Sequence, residues 1–548
     1  MKAMVTRATL GFGVAIWALA SAPTLAEDFK LSDVKAGLEG IAVTAGVGNV
    51  LERFQVKVLE TLRDGALPLV LVRASGAFLD ATGGVGQGFS GSPVYIGDKL
   101  LGAISGGFPN GDGRLVLVTP IEFMRRALPT AATLLEVLPR NLTRLCLAGQ
   151  GCAEPLSTSL TVSGLSPRAV TALQTGLKTR GLPFSVAPLQ SAQGSAPGSP
   201  SRVFAYRLEP GAPIAAQLVT GDVNIGAVGA VTSVEGRSVL AFGHPVFGDS
   251  RVRSLMQGAY ILGFVPSRTL PFKLAESLGA PLGTFISDRP YGLGGTTSTP
   301  ATLPLEVSLK RGASTLVTKV NLAAVPDIAA TLALVTTLGA LDNALEGNTP
   351  GSAKLTWRLE FTDRAAVTYG DRLADADDIA MPVSRRAALL LALITENPYA
   401  AVNLKKLSLS LEVAPYSVVR IIKAESEKKS LKTGDSTTLN LRLQPYRGVS
   451  MQRRVSFKIP SDAPVGTLRL RVRGLATPRP RNDASLQDNP DPWDGVLTFE
   501  ELLERMRSRL GGDYAVVETV GDDPVVIGIE NCDDVVTGWA YIDVQVVK

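Results

Sequence analysis

Two residues of this 548-residue chain have the types and surroundings for nucleophilic chemistry. Ser90 sits inside GGVGQGFSGSPVYIGDKLLGAISGG, from Gly83 to Gly107, and His244, the single histidine, sits inside LAFGHPVFGD, from Leu240 to Asp249. A serine hydroxyl is a weak nucleophile at neutral pH. It needs a neighbouring base, usually histidine, and backbone N–H groups aimed at the oxyanion that develops on the substrate. Only His244 can be that base. Two other motif readings fail on their surroundings. A lipase-type elbow needs glycine two residues after the serine, where Ser92 stands, and no helix pattern follows. Gly86, Gly88 and Gly91 match a dinucleotide-binding spacing, but Pro93 and a β-branched run follow where a helix should open. With one histidine and three cysteines the chain has no zinc cluster, so neither a metal nor another cofactor is expected.

Both residues need elements to carry them. The glycine stretch leads into two short apolar runs joined by Gly97-Asp98, a dipeptide suited to a tight hairpin turn. Gly226 to Val234 and Ser238 to Phe242, joined by Glu235-Gly236, form a second hairpin that ends at Gly243 and His244. Each residue therefore lies on a loop at a hairpin. For the serine loop the plain alternative is a Gly-Ser turn, and for His244 it is a histidine bonded within a loop or core.

The whole chain sets the bounds. With 45% hydrophobic and 19% charged residues it has material for several cores, about three or four domains. Lys2 and Arg7, an apolar run from Leu10 to Ala20 and Ala-Pro-Thr-Leu-Ala predict a secretory leader over residues 1–26, cleaved after Ala26. The run is shorter than the roughly 20 residues of a spanning helix, so no transmembrane segment is expected after cleavage. The mature protein is then secreted or held in the periplasm or cell envelope. Without the two leader cations the formal charge falls from +5 to +3, too small a surplus to argue for nucleic acid. Cys146 and Cys152 are candidates for a small disulfide loop, leaving Cys532 unpaired.

Taken in order, the chain is mainly β. Short strands are expected at Gly40 to Ala45, Phe54 to Leu62 and Pro68 to Val72, then the first hairpin, a strand at Leu115 to Val118 and a short helix from Pro120. Residues 141–202 change composition and read as a small inserted α/β module. It has a helix opened by Ser166-Pro167 and a Ser/Gly/Ala/Pro linker from Gln190. Gly279 to Gly295 reads as a glycine-rich loop, and Leu303 to Leu309 as an alternating strand. Residues 326–402 form a helical and strand segment, with helices at Pro326 to Gly347 and Ser384 to Thr395. Residues 403–475 alternate like an immunoglobulin-like β-sandwich. Residues 476–548 hold a linker, a helix capped by Thr498 and Glu501, and final strands.

GGVGQGFSGSPVYIGDKLLGAISGG, LAFGHPVFGD and GTFISDRPYGLGG (Gly283 to Gly295) together resemble the stage IV sporulation protein B (SpoIVB) peptidase family, over about residues 36–126 and 205–310. The resemblance implies a serine endopeptidase acting on a protein or peptide, with Ser90 as nucleophile and His244 as base. It implies a chymotrypsin-like double β-barrel whose serine half is 27–140 and whose histidine half is 203–325. In that geometry the N–H groups of Gly88 and Ser90 form the oxyanion hole. In the family the histidine segment comes first, so this chain reads as circularly permuted, which geometry-defined triads allow. The family's aspartate maps near Ser75, where no carboxylate stands. Asp80 and Asp249 are the available substitutes, and the sequence does not choose between them. A non-catalytic envelope binding or structural protein on the same fold, and a serine esterase, are the other readings of these residues.

Overall fold

The computed structural model describes residues 26–62, 67–108, 111–128, 146–147, 151–156, 160–181, 186–188, 206–248, 253–266, 271–298, 300, 302–477, 496–521 and 524–548. Residues 1–25, Asp249 and the linker from Gln190 to Ser201 lie outside them, so the expectations placed there are not addressed by the structure.

The first body is a closed ring. Strands β1 (Glu39–Ala45), β2 (Leu51–Leu62), β3 (Leu69–Ser75), β4 (Pro93–Ile96), β5 (Lys99–Gly107) and β6 (Leu115–Pro120) run in the order β4-β1-β2-β3-β6-β5. Because β5 also pairs with β4, six antiparallel strands close on themselves and leave no free edge within the ring. Alternation drives it: Phe54, Val56 and Val58 point inward from β2, and a register shift after Val58 accounts for the irregular position of Leu62. Val70, Val72, Leu101, Ile104, Val116 and Val118 complete the core. Between β3 and β4 the chain forms a helix, α1 (Ala77–Thr82), in a stretch whose glycines mask its six residues in the sequence. After β6 comes the expected short helix, α2 (Ile121–Met124).

Strands β7 (Cys146–Leu147) and β8 (Gly151–Cys152) set Cys146 opposite Cys152, and Cys152 is disulfide-bonded. Cys532 is free and buried. Strand β9 (Glu154–Pro155) then pairs with β5, so the first sheet runs past the expected boundary at residue 140. The segment that follows is not a separate module. Its strand β10 (Leu160–Ser163) pairs with the second ring and with β11 (Val186–Pro188), while α3 (Pro167–Thr179) opens at Ser166, whose hydroxyl accepts the Ala169 N–H.

The second ring repeats the plan of the first. Strands β12 (Pro213–Gly221), β13 (Asn224–Glu235), β14 (Ser238–Ala241), β15 (Ser254–Val265), β16 (Phe272–Arg289) and β17 (Gly292–Thr296) run β13-β14-β17-β16-β15-β12, and β12 pairs back to β13. Apart from the turn at Pro290-Tyr291, Gly279 to Gly295 is thus strand, not loop. The glycines serve close approach instead: a Cβ on Gly283 would lie 2.1 Å from the Thr296 carbonyl oxygen, and one on Gly294 1.9 Å from that of Ala127.

From β12 the sheet continues through β19 (Ser314–Ala323), β18 (Thr302–Arg311), β22 (Leu404–Ala414), β20 (Gly351–Phe361) and β21 (Val367–Asp375). Helices α4 (Pro326–Leu345) and α5 (Ala380–Thr395) share a core with this sheet and with the second ring. Within α4, Ile328–Leu345 is long and apolar enough to cross a membrane, but 72% of it is buried in the interior. Strand β22 falls inside the expected sandwich yet belongs here, because a half-buried strand shows the same alternation in any sheet. The C-terminal body takes strands from both Val418–Gly474 and Tyr514–Val547, in one nine-stranded sheet folded around Val419, Leu441, Val455, Leu470, Val517 and Val544. The final strands therefore belong to the same single sheet as those of residues 418–474, where the sequence pattern leads to a two-sheet sandwich and a separate tail.

Candidate functional site

The two rings meet where the sequence places its chemistry. In the Ser90 loop, Gly88 and Gly91 adopt φ of 86° and 89°, a region side chains rarely tolerate. The Gly91 N–H donates to the Ile104 carbonyl on β5 at 2.8 Å, which holds the loop to its own ring. The opposite ring holds it too. Ala230 N–H donates to the Ser90 carbonyl at 2.7 Å, and the Thr232 hydroxyl donates to the Gly91 carbonyl at 2.8 Å. A Cβ on Gly91 would stand 2.1 Å from the Ala230 carbonyl oxygen and 2.4 Å from the Phe242 nitrogen.

His244 arrives on a sharp turn after β14. Phe242 has φ of 68° and Gly243 likewise, and Phe242, fully buried, is held left-handed against its ordinary preference. Its ring packs edge-on to His244 and to Phe285, with centroids 6.4 and 6.1 Å away. The turn touches the first ring, because the Thr119 hydroxyl donates to the Gly243 carbonyl at 2.7 Å. A main-chain bond and the Thr232 and Thr119 hydroxyls thus bring the serine and histidine loops together at the seam between the rings.

At the seam, His244 Nδ1 lies 2.7 Å from the Pro245 carbonyl oxygen. A carbonyl can only accept, so Nδ1 carries the proton and Nε2 presents its lone pair. Burial pushes His244 down to about 4, slightly offset by the Pro245 carbonyl. Ser90 Oγ and His244 Nε2 are both buried and neither makes a hydrogen bond, to the other or to any described residue. Nor do the backbone N–H groups of Gly88 and Ser90 have an acceptor among the described residues.

The carboxylates divide differently from expectation. Asp80 lies on α1 and pairs with Arg114 at the surface. Among the described residues no carboxylate reaches Nδ1, whose partner is the Pro245 carbonyl, and Asp249 lies outside them. Asp288, on β16, is the acid the sequence reading passed over. Its Oδ1 accepts the Val246 N–H at 2.9 Å, and its Oδ2 accepts those of Phe247 at 2.6 Å and Gly248 at 2.9 Å. One buried carboxylate thereby fixes the loop that follows His244. Its signal was an aspartate within the strand-like run Phe285-Ile286-Ser287-Asp288. Lys273, also on β16 and buried, reaches the opposite side of the serine loop.

Fold and site together define a class: two closed six-stranded antiparallel rings with a serine loop from one and a histidine turn from the other at their seam. Comparison with protein-family models, curated proteins and solved structures gives no match for this chain.

Proposed function

We propose that this chain is a serine endopeptidase of the secreted or envelope compartment, and that its rings are the two barrels of a chymotrypsin-like fold in circularly permuted order. One observation carries the reading: a buried serine hydroxyl and a buried imidazole nitrogen, each without a partner among the described residues, on loops clamped to one another at the seam. Ser90 Oγ attacks the peptide carbonyl carbon and passes its proton to His244 Nε2. The carbonyl oxygen, now negative, receives the N–H groups of Gly88 and Ser90. His244 returns the proton to the departing amine, and water then releases the acyl group by the same steps.

The Pro245 carbonyl takes the orienting role of a triad acid. It fixes the tautomer but adds no negative charge beside the imidazolium, and loss of that charge costs about 10⁴ in turnover in a full triad. A slow enzyme follows. Ser90 has no exposed surface, so a substrate enters only when the loops part. That same closure favours the second reading, a non-catalytic binding or structural protein on this fold. A serine esterase would use the same atoms.

Labelling of the purified mature protein with a fluorophosphonate, beside Ser90→Ala and His244→Ala, separates these readings. The hydrolase reading expects labelling that both variants abolish. Wild-type labelling no greater than that of Ser90→Ala sinks it.

A further inference from the structure

Lys273 belongs to the histidine ring but spends its side chain on the serine ring. Its backbone lies beside Gln87: Gln87 N–H donates to the Pro271 carbonyl at 2.9 Å, and Lys273 N–H donates to the Gln87 carbonyl at 3.0 Å. Its aliphatic stem covers Gly88, where a Cβ would meet Lys273 Cβ at 2.9 Å, Cγ at 3.1 Å and Cδ at 3.2 Å. Its Nζ lies 4.3 Å from the centre of the Phe89 ring and 6.0 Å from that of Phe264. It ends on Thr44 of β1, donating to Oγ1 at 2.7 Å, where the Ser92 hydroxyl also donates at 2.8 Å. The side chain therefore touches or links residues 88, 89 and 92 and the backbone holds residue 87, so that one lysine grips the loop on both sides of Ser90.

This arrangement is costly for a mere filler. The amine faces the Thr44 hydroxyl and two aromatic rings, and among the described residues no carboxylate pairs with it. Burial alone pushes the amine down to about 7. A methionine would fill the same volume without that penalty.

We propose that Lys273 is a positioning residue for the Ser90 loop, holding the Gly88 and Ser90 N–H groups where the substrate oxyanion forms. It acts through Gln87, Gly88 and Thr44 and does not itself touch the reacting atoms. The proposal rests on Ser90 being the nucleophile, and its test separates the two claims.

Wild type, Lys273→Met and Thr44→Val are compared as full mature chains in two assays. The first is fluorophosphonate labelling, resolved into the inactivation rate and the binding constant. A positioning role lowers the inactivation rate tenfold or more while the binding constant stays within about threefold. The second is backbone amide exchange by mass spectrometry over residues 86–92, where the Gln87, Phe89, Gly91 and Ser92 N–H groups are hydrogen-bonded. Exchange there rises at least tenfold in both variants, with peptides of the C-terminal body unchanged. If Lys273→Met does not fold, Thr44→Val, which removes the hydroxyl that receives both Lys273 Nζ and Ser92 Oγ, supplies both readouts, with Ser92→Ala as the control for the second bond. A folded variant with unchanged exchange and an unchanged inactivation rate overturns the proposal. If the wild type is not labelled, the hydrolase reading fails and exchange alone decides whether Lys273 holds the loop.

Discussion

The carbonyl oxygen of Ser90 accepts the backbone N–H of Ala230 at 2.7 Å, so the serine of the first ring is tied to a strand of the second. Thr232 repeats the tie one residue on, at the Gly91 carbonyl. The spacing between Ser90 and His244 is thereby set by one main-chain bond across the seam together with the Thr232 and Thr119 hydroxyls, all of them on main-chain carbonyls of the two loops. Neither loop has its final shape until both rings have closed. Positions where the two backbones nearly touch should accordingly be the least tolerant in the molecule.

Gly91 is the sharpest case. Alanine there would place Cβ 2.1 Å from one backbone atom and 2.4 Å from another, at a φ of 89°. Rigid main chain cannot yield as a flexible side chain can, so Gly91→Ala should cost about 3–5 kcal/mol. Gly97 also has positive φ, at 63°, but nothing lies within 4 Å of its Cβ position. Gly97→Ala should therefore cost only about 1 kcal/mol. Urea unfolding of both variants checks the pair, and equal losses would mean that the seam is looser than described.

Asp288 should matter through the loop it caps. Asparagine has the same shape but one accepting oxygen, and its amide group would point hydrogens at N–H groups of residues 246–248 that the carboxylate now receives. Asp288→Asn should cost about 3 kcal/mol and lower Ser90 labelling at least tenfold. Unfolding midpoints and labelling rates measure both. A variant as stable and as reactive as wild type would show that the His244 loop holds its shape without the cap.

These two residues also mark how far the sequence could be read. Strand positions and hairpins were legible where local alternation decides them, as at Val56 and Val58 or Leu439, Leu441 and Leu443. The serine and histidine loops were legible because Gly97-Asp98 and Gly236 punctuate the chain locally. Gly283 and Gly294 misled, because their reason for being glycine is a carbonyl oxygen from another strand or helix end. Lys273 and Asp288 stayed hidden for a related reason. Their partners lie 229 and about 41 residues away, and only ring closure brings them near. The strand at Leu404–Ala414 shows the limit for whole elements, since alternation records a buried face but not the sheet that buries it.

His244 should leave a mark on stability as well as on reactivity. Its folded value of about 4 lies below the ordinary 6.5, so between these values the unfolded chain binds the proton first. Stability from keeping the imidazole neutral is therefore complete above pH 6.5 and is lost as pH falls toward 4, about 2 kcal/mol by pH 5. His244→Gln should lack that slope. Urea titrations at pH 7 and pH 5 give the difference, and parallel behaviour of the two proteins would refute a buried neutral imidazole. By the same reasoning, labelling of Ser90 should stay level from pH 8 to pH 5, since the base remains unprotonated throughout.

Lys273 makes the opposite end of the pH scale informative. Its amine titrates at about 7 in the fold against 10.5 in a free side chain, with burial as the cause. Between these values the unfolded chain again holds the proton that the folded chain refuses. Stability is thus complete above pH 10.5, falls as pH drops toward 7 and is level below it. From pH 10 to pH 7.5 the loss is about 3 kcal/mol. Methionine has nothing to protonate, so Lys273→Met should gain that amount on wild type as pH falls from 10 to 7.5, whatever its stability at pH 10. Comparing the variant with wild type at each pH cancels the tyrosines and other groups that titrate in the same range. A difference that stays constant from pH 10 to pH 7.5 would mean that the amine is solvated or paired. The clamp on the serine loop would then act through the Lys273 backbone and not through its side chain.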